Sequence, residues 1–225
     1  MNKDVSLGQP IVRYEDGKLF NTTDQYVTEF PLTIMVNGEE FATVICSPTN
    51  LEELVIGFLA SEGAILKRDE LKSVLIDDSK GFAHVELNKD LGDRFQYSTK
   101  RMIASCCGKS REFYFQNDAA ISDGLTFFVH RQDIGRHNAL DKLYGFCIQR
   151  HITVRDKVLI FSGRISSEIL IKAAKIGVGV ILSKSAPTTL AVTLANDLNI
   201  TAVGFIRNGG FNIYSHPERI IDSEQ

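Results

Sequence analysis

The second half of the chain alternates between two textures of hydrophobic residue. Residues 157–161, 178–182 and 200–206 are short β-rich apolar runs, the mark of buried strands. Between them, residues 166–176 place Ile169, Leu170, Ala173 and Ala174 at helical spacing, and residues 188–198 follow Pro187 into a second helix. Strand–helix–strand–helix–strand order predicts parallel strands joined by helical crossovers. Asn208-Gly209-Gly210 then predicts a turn into residues 211–214. An earlier helix, residues 138–149, carries Leu140, Leu143, Tyr144 and Cys147 on one face.

The first half reads differently. From about residue 18 to residue 88 strands mix with one helix. Residues 33–36 and 41–46 flank Asn37-Gly38, a hairpin turn signal. Thr49 with Glu52, or Asn50 with Glu53, forms a capping-box pattern; the helix it opens runs to about Ser61, with Gly63 as its stop. Residues 116–124 are short and join two regions abruptly.

Composition narrows the class. The chain has 225 residues, 44% apolar and 24% charged, which is ordinary for a globular core. A net charge of −3 argues against bulk binding of nucleic acid or anionic membrane, so any anion site is local. No apolar run is long enough to span a bilayer, and residues 1–10 lack the regions of a signal peptide. Four unevenly spaced cysteines do not form a disulfide framework. These features predict a cytoplasmic protein with reduced thiols.

Ligands of open parallel sheets bind beyond the carboxyl ends of the strands. The three predicted strands exit into Ser162-Gly163-Arg164, Ser183-Lys184-Ser185 and Arg207-Asn208-Gly209-Gly210. Each exit holds a cation, and the first two lead into helix N-termini, which favour anions. Ordinary turns share much of this composition; three such exits on one rim predict a phosphate-bearing ligand. Neither a Walker loop nor a Gly-x-Gly-x-x-Gly fingerprint is present. A second polar stretch runs from Arg131 to Asn138. Asn138 fits an N-cap with Asp141 and Lys142 as exposed helix residues, and Asp133, Arg136 and His137 could line a site.

Reactive thiols are sought among Cys46, Cys106, Cys107 and Cys147. Cys46 falls in a strand and Cys147 on an apolar helix face, so both are expected in the core. Adjacent Cys106 and Cys107 would be strained as a disulfide, since neighbouring Cα atoms lie ~3.8 Å apart and a bridge needs about 4.4 Å or more. From Lys100 to Arg111 four cations and no acid occur. One cation about 7 Å away stabilises a thiolate by roughly 0.6 to 2.4 kcal/mol. Either a loop nucleophile or a small residue packed under a loop fits this stretch. The five histidines and four cysteines show no zinc-ligand spacing.

The sequence resembles the formate dehydrogenase accessory sulfurtransferases, the FdhD/NarQ family. The matching stretches are residues 31–38, 56–63, Asp133-Ile134-Gly135-Arg136-His137-Asn138-Ala139-Leu140-Asp141-Lys142, residues 161–168, Ser183-Lys184-Ser185-Ala186-Pro187-Thr188 and residues 203–207. The resemblance implies a sulfurtransferase that accepts sulfur from a cysteine desulfurase as a persulfide. It passes that sulfur to the bis-molybdopterin guanine dinucleotide molybdenum cofactor, which then enters formate dehydrogenase. It implies a homodimer and an α/β fold: a cytidine deaminase-like three-layer part over residues 99–225 and a smaller α+β part over residues 1–98. The deaminase zinc signature is absent, so deamination is not implied. Cofactor contacts are implied at Phe205, Ile206, Arg207, Asn208, Gly209 and Gly210, with Arg164, Ser183 and Lys184 on the neighbouring exits.

Two departures from the family pattern stand out. Many relatives carry Cys-Gly-x-Cys at the sulfur loop. Aligned without a gap, Cys107 takes the first position as the persulfide carrier, and Ser110 replaces the second cysteine. Relatives also have a longer segment near Ala119-Ala120, containing Thr-Gly-Gly-x-His. Its absence implies either a deletion or a mobile loop left out of the chain, and the second is the expectation because the flanks resume the pattern at once. A cofactor-binding chaperone that moves no sulfur is the alternative function. A nucleotide-dependent hydrolase on the same rim lacks an identifiable metal or base.

Overall fold

A computed structural model of the chain describes residues 5–89, the backbone of 101–103, and residues 117–124 and 126–221. Among these residues three sheets form. Strands β1 (Ser6–Glu15) and β2 (Lys18–Val27) make a separate antiparallel hairpin. Strands β3 (Phe30–Val36), β4 (Glu39–Cys46), β5 (Leu71–Asp77), β6 (Phe82–Leu87) and β7 (Arg101–Ile103) form a sheet in the order β5-β6-β3-β4-β7. The N-terminal sheet thus takes a strand from beyond residue 98, the boundary expected for the first part.

The larger sheet has the order β13-β12-β11-β10-β8-β9. Its strands are β8 (Asn117–Ser122), β9 (Phe127–Asp133), β10 (Val158–Phe161), β11 (Val180–Ser183), β12 (Thr201–Arg207) and β13 (Gly210–Ile213). β10, β11 and β12 are parallel, as the alternating pattern requires, while β8, β9 and β13 run antiparallel to their neighbours. Helices α3 (Ser167–Ile176) and α4 (Thr189–Asp197) make the crossovers. Each is capped as its sequence suggests: the Ser166 hydroxyl accepts from Ile169 N and the Thr188 hydroxyl from Ala191 N.

The abrupt stretch at 116–124 is a sheet strand here. β8 pairs through Ala119 and Ala120 with β10 on one side and β9 on the other. The longer segment of the relatives has no counterpart among the 225 residues, and β8 runs continuously through its place.

Helices α1 (Leu51–Glu62) and α2 (Arg136–Gln149) join the halves. α1 covers the five-stranded sheet through Leu54, Val55, Phe58 and Leu59, and α2 covers the six-stranded sheet through Ala139, Leu140, Leu143 and Cys147. The two helices cross on glycines. A Cβ on Gly57 would sit 1.7 Å from the Asp141 carbonyl oxygen, and one on Gly145 would sit 1.8 Å from that of Glu53. Tyr144 packs against both cores at this crossing.

Two sequence expectations about helix starts fail here. α1 has no side-chain cap: Asn50 is left-handed at φ 51°, so neither capping box forms. α2 begins three residues early, with Gly135 as N-cap, which puts Asn138 inside the helix. Gly63 does end α1, left-handed at φ 82° with its N–H on the Ala60 carbonyl. Asn37 and Gly38, at φ 50° and 88°, close the β3–β4 hairpin as expected.

Candidate functional site

Asp133, at the end of β9, and Lys142, one turn and a half into α2, are fully buried and 2.7 Å apart. Such a pair survives burial only if its remaining hydrogen-bond capacity is filled. Neighbouring groups from two connections fill it. Asp133 Oδ2 accepts from Ser47 N at 3.0 Å, while Oδ1 accepts from Gly135 N at 2.8 Å and from Asn138 Nδ2 at 2.9 Å. Lys142 Nζ donates to Ser47 O, Thr49 Oγ1 and Gln132 O at 3.2–3.3 Å. Asn138 also reaches Ile45 O, and the Ser47 hydroxyl accepts from Ile134 N. The cluster ties the β4–α1 connection to the β9–α2 connection.

Asp141 is likewise buried, not exposed. Its Oδ1 accepts from Ser61 Oγ at 2.6 Å and lies 2.5 Å from Lys172 Nζ, while Lys175 Nζ donates to Ser61 O. Four polar residues of the Asp133–Lys142 signature therefore lock the two halves together. Arg136 and His137 remain. Arg136 Nε is buried without a hydrogen-bond partner among the described residues. His137 Nε2 lies 3.1 Å from Glu168 Oε2 without hydrogen-bond geometry. Burial, then the Lys172 and Arg136 charges, hold the His137 pKa below its ordinary value, so the ring is neutral near pH 7.

The rim lies at the carboxyl ends of β10, β11 and β12. Because β8 and β9 are antiparallel to each other, Asn117 at the start of β8 and Asp133 at the end of β9 stand at this same edge. Ser162 caps the first exit: its hydroxyl accepts from Asp118 N at 2.9 Å. Ser183 is buried and braces the second: it donates to Gly163 O at 2.7 Å and accepts from Ser185 N at 2.9 Å. Ile165 and Pro187 bridge in parallel, so the β10 and β11 exits run side by side. A Cβ on Gly204 would come 2.8 Å from Ser185 O, which seats the β11 exit against β12.

The charged ends are free of this bracing. Arg164, Lys184 and Arg207 are exposed, and no carboxylate pairs with them among the described residues. Phe205 adopts φ 54°, within a bulge of β12 between Gly204 and Arg207. An aromatic residue in the left-handed region costs on the order of 1–3 kcal/mol and persists only where the surrounding structure holds it. The Arg207 guanidinium stacks over the Phe205 ring at 5.3 Å. Asn208 and Gly209 follow at φ 50° and 78° and turn the chain into Gly210 and β13. The edge thus offers three unpaired cations, an aromatic face and exposed backbone, a set suited to a nucleotide with phosphates.

Cys107, Cys106 and Ser110 lie outside the described residues. Their segment connects β7 of the five-stranded sheet to β8, whose first residue stands at the rim. Cys46 and Cys147 are buried, and burial foremost pushes their pKa values up to about 12 and about 11. Neither is a nucleophile at neutral pH. Among the described residues no group of His, Cys, Asp or Glu could hold a metal ion, and no helix is long and apolar enough to cross a membrane.

Sequence reasoning missed the Lys142 clasp and the Gly57–Gly145 crossing. A glycine in the interior of each helix was the only signal for the crossing.

The FdhD/NarQ family model matches residues 27–123 and 117–221. Two curated proteins named sulfur carrier protein FdhD, from Staphylococcus aureus strains JH9 and Newman, are 85% identical, with all of both chains covered. Those alignments run over 265 positions against the 225 residues here, a difference of 40. Residues 117–123 fall in both family matches, which puts the break at β8. The crystal structure of a protein assigned as a formate dehydrogenase accessory protein, from Desulfotalea psychrophila, superposes with a TM-score of 0.81. It is 24% identical, covers 97% of this chain and is itself covered completely, so it shares the mixed α/β fold. On the two family matches and the full-length identity, this chain belongs to the FdhD/NarQ family.

Proposed function

We propose that this protein is a sulfurtransferase that carries sulfur on Cys107 from a cysteine desulfurase to the molybdenum cofactor, for use by formate dehydrogenase. Its relatives' name, sulfur carrier, supports the first half of that statement. The observation that carries the second is the rim, where Arg207 lies over the left-handed Phe205 and Arg164 and Lys184 stand exposed on the neighbouring exits. The Cys107 thiolate attacks the outer sulfur of the donor's persulfide; that S–S bond breaks, the donor cysteine leaves as a thiolate, and Cys107 holds the sulfane sulfur. The cofactor is the cargo, in its bis-molybdopterin guanine dinucleotide form, with its guanine and phosphates against residues Phe205 to Gly210. Ser183 supports the site by bracing the loop, since both its hydroxyl contacts are taken.

The six-stranded sheet with its crossovers supports a cytidine deaminase-like three-layer second part. The separate core under β3, β4 and β6 supports a smaller first part over residues 1–98, with the second over residues 99–225. Reduced, buried Cys46 and Cys147 fit a cytoplasmic protein. The family likeness supports a homodimer.

A cofactor chaperone that moves no sulfur is the second reading. Ser110 in place of a second cysteine and the 40 unmatched positions favour it. The test is mass spectrometry of the protein after incubation with a desulfurase and cysteine. We expect a gain of one sulfur on Cys107, lost in Cys107→Ser and kept in Cys106→Ser. An unmodified protein that still binds guanine nucleotide supports the chaperone; sulfur on Cys106 alone overturns the residue assignment.

A further inference from the structure

Among the described residues, helices cover only one face of the six-stranded sheet. The crossovers β9–α2–β10, β10–α3–β11 and β11–α4–β12 all step the same way across it. Right-handed crossovers then place all three helices on one side. There α2, α3 and α4 share one core with Leu159, Phe161 and Ile181, which are at most 1% exposed. The register puts Ala120, Ile160, Leu182 and Val203 in one row across the other face, and Ser122, Val158, Val180 and Thr201 in the next. No charged residue stands in either row. Val158, Ile160, Val180 and Leu182 are only half-buried, and no apolar residue of the two rows belongs to either hydrophobic core. Parallel strands are apolar on both sides because both of their faces are normally covered. Here the second face has the composition of a covered one and no described helix over it.

We propose that this face is the seat of the segment that the Staphylococcus aureus relatives carry and this chain lacks, and that it remains open to that segment supplied as a separate peptide. Only 225 of the 265 aligned positions can match, so 85% identity means that nearly every residue here equals its counterpart. The relatives therefore present the same apolar rows, and the chains differ mainly in whether the 40 further positions are present. The place of attachment fits. Residues 117–123 match the family model at the end of one stretch and at the start of the next, so in the relatives the segment joins the chain at β8. β8 lies inside the sheet and contributes Ala120 and Ser122 to the second face. The size fits as well. Four strands at ~4.8 Å, each with four residues at ~3.3 Å, make a face about 19 Å by 13 Å. Two helices of about ten residues, each ~15 Å long and packed about 8–10 Å apart, would cover it and leave residues for the connections. The rows are no more polar here than in the relatives, so their complementarity to the segment is retained.

The test is calorimetric titration of the full chain with a synthetic peptide of those 40 residues, taken from the strain JH9 relative, against a scrambled peptide of the same composition. We expect binding in the micromolar range for the first peptide and none for the second. Ile160→Thr/Leu182→Thr, which keeps β-branched residues in the strands, should weaken it roughly 30-fold or more, while Leu75→Thr, on the other sheet and 66% exposed, should change it less than about 3-fold. The urea midpoint of the peptide-free double variant checks that it is folded. Amide hydrogen exchange on the unsubstituted chain gives a second readout: the peptide should slow exchange in β8, β10 and β11 and leave β5 and β6 unchanged. Absence of binding at about 100 μM peptide overturns the proposal. So does a peptide that binds but slows exchange only in the five-stranded sheet. A chain that self-associates and protects β10 and β11 without any peptide also overturns it, because a second copy would then hold the face.

Discussion

Substituting Gly57 by Ala puts one methyl group into the crossing of α1 and α2. The new Cβ would lie 1.7 Å from Asp141 O, 2.6 Å from Asp141 C and 2.7 Å from Gly145 N, all backbone atoms that cannot rotate away. Restoring ordinary contact requires the helices to part by about 1.5 Å or more, and a gap of even 0.5–1 Å forfeits a quarter to a half of the dispersion energy across it. Overpacking of this kind costs about 1–3 kcal/mol. Moving α2 also stretches the 2.6 Å bond from Ser61 Oγ to the buried Asp141 carboxylate, adding about 1–3 kcal/mol. Alanine returns about 1 kcal/mol through helix propensity. The net expectation is a loss of about 3 kcal/mol, read as a lower urea midpoint at unchanged slope. Gly145→Ala, with its Cβ 1.8 Å from Glu53 O, should lose a similar amount, and the double variant less than the sum, because one separation relieves both clashes. Gly179→Ala, where a Cβ meets nothing within 4 Å, is the control and should change stability by under about 0.5 kcal/mol. A Gly57→Ala protein within about 1 kcal/mol of the wild type would refute the crossing.

Three further outcomes are expected. Lys142→Met leaves the Asp133 carboxylate buried without its counter-charge and should cost about 3–5 kcal/mol in denaturant unfolding, with Asp133→Asn/Lys142→Met recovering part of it. Cys46 and Cys147, with pKa values near 12 and 11, should resist alkylation at pH 8 until the chain unfolds. Their folded values are raised, so the unfolded chain ionises first; stability they contribute is intact below about pH 9 and falls as pH rises toward 12, measurable as a dropping urea midpoint. Arg207→Ala should weaken binding of guanosine diphosphate roughly ten- to a hundred-fold in titration calorimetry while leaving Cys107 persulfidation intact, by losing a charged hydrogen bond of about 1.5–3 kcal/mol. Unchanged affinity in the folded variant would move the nucleotide off this rim.

Local chemistry made much of the architecture readable. The β10 to β12 alternation, the Asn37-Gly38 turn and the Gly63 stop are each decided within a few residues of sequence, and each forms as expected. Cys46 and Cys147 belong to the same kind, since an apolar periodicity is enough to place them inside. What failed depends on distant partners. Asp141-Lys142 on a helix ordinarily faces water, and here both are buried because Ser47, Thr49, Ser61 and Asp133 reach them from other elements. Asn138 has the chemistry of an N-cap, a short amide that bonds to backbone. It uses that chemistry on Ile45 O, across the interface, instead of on its own helix. The β1–β2 hairpin was missed although Asp16-Gly17, at φ 50° and 79°, is the same kind of turn signal as Asn37-Gly38. At the rim, the residue types were legible, but the division between braces such as Ser183 and free ends such as Arg207 is settled only in three dimensions.

The Asp133–Lys142 signature has a consequence for how such chains are told apart. Its polar residues spend their bonds on holding one connection against another, 86 to 95 positions apart along the chain. A sequence can keep that lock, and so be recognised, after losing every atom that handles sulfur. The signature is diagnostic of shape; on the proposed function, the diagnosis of chemistry rests on the residues at 107 and 110.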